Sequence, residues 1–104
     1  MSVWFGAYEA VQELLHGVIG LRNDTRFRDS SRWTSLEQLS RNALGAAESI
    51  EGMPDTEAFV TELREMGNRY ATQNSVTNDE LGADIDRLKK ISQELFRRMT
   101  EGPG

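Results

Sequence analysis

The sequence predicts an all-α protein, a four-helix antiparallel bundle, and three observations predict it. Apolar residues recur at a 3.6-residue period in four separate stretches, and no stretch sustains the alternation of a strand. Two Thr-x-x-Glu capping boxes, Thr34–Glu37 and Thr77–Glu80, mark helix starts.

The first helix is read from Trp4, Tyr8, Val11, Leu15 and Val18, at steps of 4, 3, 4 and 3. Phe5, Leu14 and Ile19 widen that stripe until only a narrow polar strip (Glu9, Gln12, Glu13 and His16) remains. A helix apolar over most of its circumference has to be covered on several sides. It is therefore expected either at the centre of the fold or partly against another subunit.

The second helix opens at the Thr34 capping box and continues through Leu36, Leu39, Ala43, Ala46, Ala47 and Ile50. Its small residues permit close approach of a neighbour but bury little area each. Gly52 and Pro54 end it. Asp55 is the expected cap of the third helix, whose stripe is Phe59, Leu63, Met66 and Tyr70. The polar run Thr72–Ser75 is a connector.

Thr77 caps the fourth helix, with Val76 and Leu81 in the two hydrophobic-staple positions. Leu81, Ile85, Leu88, Leu95 and Met99 follow heptad-like spacing, and Ser92 occupies the slot where another apolar residue is due. Asp79, Glu80, Asp84 and Asp86 crowd the first turns and Arg97 and Arg98 the last, a gradient that complements the helix dipole. Helices of about 18, 18, 17 and 24 residues span roughly 26 to 36 Å. The overhang of the fourth has no cover within one chain, so completion of the bundle by a second copy is expected.

Composition narrows the function. With 104 residues, the chain is read as one domain, 1–101, followed by a flexible tail, 102–104. Hydrophobic residues at 38% and charged residues at 28% place it among globular proteins rather than disordered polyelectrolytes. The absence of cysteine excludes a disulfide scaffold, a thiolate metal site and a cysteine nucleophile. Glu9, Gln12, Glu13 and His16 interrupt the apolar N-terminal run, which argues against a membrane span. No Lys or Arg precedes Arg22, unlike a secretory leader, so the expected location is cytoplasmic.

Three constellations invite a chemical reading. Glu13 and His16 form an E-x-x-H, the spacing that supplies two ligands in carboxylate-bridged metal bundles. With one histidine per chain only a dimer can complete such a site, so no metal or cofactor is expected and the pair ranks below a plain solvent strip. The stretch Arg22–Trp33 reads as a long loop carrying Arg22, Arg26, Arg28 and Arg32 against two aspartates, interleaved with Phe27 and Trp33. That composition suits a protein interface. A net charge of −5 and the lack of any nucleic-acid motif disfavour a nucleic-acid partner. Between Glu48 and Glu65 six acids face one Arg64, an acidic face able to imitate a phosphate backbone.

No nucleophile elbow or phosphate-cradling glycine loop is present, and no enzyme activity is expected. The sequence thus reads as a small helical module that binds protein, itself first. Its expected anchors are Trp4, Phe5, Tyr8, Phe27, Trp33, Leu95, Phe96 and Met99. Two alternatives stand beside it. One is a stoichiometric inhibitor, of phage or mobile-element type, blocking a nucleic-acid-handling protein through Glu57, Glu62 and Glu65. The other is a dimeric metal protein using Glu13 and His16.

Overall fold

Helix α1 spans Val3–Asn23, α2 Ser30–Glu48, α3 Glu57–Ala71 and α4 Asn78–Thr100, with no strand among the described residues. The structure is a computed structural model that describes residues 3–24, 26, 29–50, 56–72 and 76–101. Cross-helix contacts fix the directions. Tyr8 meets Phe96 and Gln12 meets Ser92 between α1 and α4, while Gly17 faces Leu36 and Leu39 of α2. Gly67 of α3 faces Ser40 of α2, and Tyr70 meets Asp84 of α4. Each neighbouring pair is antiparallel, so the expected four-helix bundle forms. It measures 46 × 21 × 20 Å.

α1 turns Ala7, Val11, Leu14, Leu15, Val18 and Leu21 into the core. Trp4 and Tyr8 sit at the edge of that face, half-buried. Gly17 brings α2 close, since a Cβ there would lie 2.9 Å from Leu36 Cδ2.

α2 starts one turn earlier than its capping box suggests. Asp29 is the N-cap, accepting the Arg32 amide at 3.1 Å and the Ser31 hydroxyl at 2.7 Å. These bonds hold the Asp29 carboxyl below its usual range, the Ser31 hydroxyl contributing most. Thr34 therefore lies inside the helix, and the twelve-residue loop shrinks to Asp24–Asp29, an ordinary length. The gain is burial. In the earlier start Trp33 faces inward, 3% exposed, with its ring 6.3 Å from that of Tyr70. Leu36, Ser40, Ala43 and Ala47 continue the inner face.

Thr56 caps α3 by position alone. It has no side-chain cap bond, its hydroxyl donates to the Ile50 carbonyl at 3.3 Å, and it is fully buried. The expected cap Asp55, the stop Gly52–Pro54 and the tail 102–104 lie outside the described residues. Val60, Leu63, Met66 and Tyr70 form the inner face, so Val60 takes the place expected of Phe59, which is half-buried.

The fourth start forms as the sequence specifies. Thr77 Oγ1 accepts the Glu80 amide at 3.2 Å and also donates to the Glu80 carboxylate, while Val76 and Leu81 are both buried. Ile91, expected only beside the seam, is 2% exposed and belongs to the core.

α1 packs closely on α2 and α4, and α2 on α3, whereas α3 and α4 are joined chiefly through one polar cluster. Asp84, fully buried, accepts from Tyr70 Oη at 2.8 Å, from Arg87 Nη1 at 3.0 Å and from Arg69. Glu80 stands 4.0 Å from Arg69 Nε. Burial first, and the Asp84 charge second, push the Tyr70 phenol well above its ordinary range. A buried carboxylate with three donors holds two otherwise loosely packed helices together.

Candidate interaction surface

The surface is built by the first turns of α1 and the last turns of α4. Phe59 and Glu62 of α3 line a groove with Lys90 and Ile91 of α4, so Glu57, the first residue of α3, stands level with about Gln93. At 1.5 Å per residue, α4 then runs roughly 10 Å beyond α3. On that projecting stretch Leu95 is enclosed while Phe96 is exposed.

The large apolar side chains exposed among the described residues are Val3 (51%), Phe5 (36%) and Phe96 (51%), all at this end. Phe96 leans on Tyr8, with ring centroids 5.8 Å apart and planes tilted by 44°. An open groove of about 550 Å³ runs along the α1–α4 seam, lined by Tyr8, Gln12, Ser92, Gln93, Phe96, Arg97 and Thr100. Its floor is polar at one point, where Gln12 Nε2 donates to Ser92 Oγ at 2.5 Å. Ser92, the break in the apolar repeat, is thus paired across the seam rather than left bare.

Charges frame the patch. The Arg98 guanidinium lies 4.9 Å above the Trp4 ring and donates to Glu94 at 2.9 Å, half-burying the indole. Arg97 bonds both Glu94 and Glu101, the latter at 2.7 Å. Hydrogen bonds from Arg97 and then Arg98 pull the Glu94 carboxyl down to about 2. The charges at the end of α4 are thus paired among themselves, and Phe96 stands exposed beside them.

The expected anchors divide. Phe5 and Phe96 are exposed, and Trp4, Tyr8 and Met99 half-buried, all in one region. Leu95 (1% exposed) and Trp33 are enclosed by the chain's own core, so neither is available to a partner. Phe27 and Arg28 lie outside the described residues. The other loop arginines do not converge. Arg22 belongs to α1 and lies against Gly82 of α4, Arg26 pairs with Asp24 at 3.3 Å, and Arg32 is in the first turn of α2.

Glu13 and His16 are both exposed on α1. Among the described residues no three metal-ligating side chains are grouped. Glu48, Glu57 and Glu65 are exposed, Glu62 is half-buried beside Phe59, and Glu51 and Asp55 fall outside the described residues. No helix among the described residues is long and apolar enough to cross a membrane.

Compared with protein-family models, curated proteins and solved structures, the chain matches none.

Proposed function

We propose that the protein is a small non-enzymatic helical interaction module that associates with itself through the bundle end formed by α1 and α4. One observation carries the reading: Val3, Phe5 and Phe96 are exposed at the same end, where α4 outruns α3. Large apolar side chains supply most of the energy of an interface. Fully burying a Phe is worth about 1.5–3 kcal/mol, so covering the exposed half of Phe96 contributes about 1 kcal/mol per protomer. The acidic stretch and the Glu13–His16 pair offer no comparable feature, since charged side chains on an exposed helix face are content in water.

The test is Phe96→Glu, followed by light scattering on a sizing column. The wild-type chain is expected to run as a dimer at high micromolar concentration, and the variant as a monomer that keeps its helical circular-dichroism spectrum and melts somewhat lower, since it loses both the association and the Phe96–Tyr8 contact. A wild-type monomer, or a dimer indifferent to the substitution, would remove the reading.

A further inference from the structure

The seams of the bundle are not built alike. Gly17 brings α1 against Leu36 and Leu39 of α2, and Gly67 brings α3 against Ser40 of α2, so the backbones approach closely there. No glycine does this between α3 and α4, since Gly67 turns to α2 and Gly82 to Arg22 of α1. Along the first turns of α3 the two helices leave an open groove of about 350 Å³, with Ala58, Phe59 and Glu62 on one wall and Arg87, Lys90 and Ile91 on the other. Among the described residues no ion pair joins Glu62 to Lys90 across it. Towards the other end the Asp84 cluster closes the seam.

α3 and α4 each have one close neighbour, α2 and α1 respectively. Of the two, α3 is the less anchored. It has 15 residues against 23 and four buried side chains against seven. Its N-cap, Thr56, makes no side-chain cap bond, whereas Thr77 of α4 accepts the Glu80 amide. A helix of 15 residues without tertiary support is marginal in water. The tie to α4 is also polar. When the seam parts, Asp84, Arg69 and Arg87 regain hydration, which offsets much of the lost pairing. Parting α1 from α2 or α4 exposes chiefly apolar side chains and recovers no such hydration.

We propose that α3 is a detachable unit. It leaves α4 along this seam and melts while α1, α2 and α4 stay packed, a partial opening that costs less than unfolding the whole chain. The Asp84 cluster is the latch that keeps it closed.

Amide hydrogen exchange followed by NMR, in urea below the unfolding transition, reads this opening. The Leu63, Met66 and Tyr70 amides of α3 are expected to be at least ~tenfold less protected than those of Val11, Leu14 and Val18 in α1 and Leu88 in α4, with a shallower dependence on urea. Equal protection and equal slopes in the three helices would overturn the proposal, and this comparison needs no variant.

Two substitutions identify the latch. Asp84→Ala removes contacts that the opening breaks, so it is expected to lower protection in α3 by roughly thirtyfold or more, and in α1 by the same factor. Gln12→Ala removes the bond to Ser92, which survives in the opened form. It is expected to lower protection in α1 and α4 by about fivefold and to leave α3 within about twofold. An α3 indifferent to Asp84→Ala, or one that loses as much as α1 on Gln12→Ala, would overturn the proposal.

Discussion

Replacing Asp84 by Ala is the sharpest probe of how the bundle is held together. The carboxylate is fully buried and accepts from Tyr70, Arg69 and Arg87. Its removal strands the buried Tyr70 hydroxyl, at a cost of about 1–3 kcal/mol. The arginine side chains are 29% and 46% exposed, so their charges are partly hydrated and add less than a sealed charge would, although the Arg69 Nε is buried. A total loss of about 2–4 kcal/mol follows, at or below the range for breaking a fully buried pair. That is a large part of the 5–15 kcal/mol expected of a small domain. Tyr70→Phe alone is expected to cost about 1.5–3 kcal/mol, the range for a hydrogen bond to a charged group. The double variant is expected to be less destabilised than the two losses added, because removing Asp84 already forfeits the bond. Urea denaturation followed by far-ultraviolet circular dichroism measures all three. A loss below about 1 kcal/mol for Asp84→Ala, or strict additivity in the cycle, would refute the role given to the cluster.

Other perturbations read separate parts of the fold. Gly20 and Gly45 have open space where a Cβ would stand, so Gly20→Ala and Gly45→Ala are each expected to add about 0.5–1 kcal/mol in urea titrations. Gly67→Ala would set a Cβ 2.9 Å from Ser40 Oγ, itself held by the Glu37 carbonyl, and is expected to show no such gain. Thr77→Ala is expected to cost about 1 kcal/mol through loss of the α4 cap. The Glu94 carboxyl is depressed to about 2, below an unfolded value near ~4.3, so its stabilisation is complete above that unfolded value and is lost as pH falls towards 2. Thermal melts of Glu94→Gln across that window are therefore expected to vary less with pH than those of the wild type. At the alkaline side Tyr70 acts with the opposite sign. Its raised phenol stabilises the fold fully below the unfolded value near ~10 and withdraws that stability above it, a limb that Tyr70→Phe should lack.

Local signals carried the fold a long way. Periodicity located all four helices, and the α4 start was legible because Thr77, Glu80, Val76 and Leu81 all act within two turns. The start of α2 was not, because Asp29 and Thr34 are both competent caps. The choice falls to tertiary burial of Trp33 against Tyr70, a residue on another helix. Asp84 was hidden for a similar reason. In the sequence it is one more acid in a helix's first turns, where the dipole explains it, and its partners Arg69 and Tyr70 lie across the α3–α4 connection. Ser92 announced itself as a gap in an apolar repeat, but nothing local points to Gln12. The surface patch was partly readable. The wide stripe of α1 and the length of α4 pointed to the end at which Val3, Phe5 and Phe96 are exposed. The division of Leu95 into the core and Phe96 onto the surface depends on a rotation of one residue around α4.

Sedimentation equilibrium of the unmodified chain, over loading concentrations from low to high micromolar, tests self-association most directly. A weight-average mass that climbs from one chain towards two is the expected result. A mass that stays at one chain throughout would mean that Val3, Phe5 and Phe96 face only water, and the proposed function would fall with it.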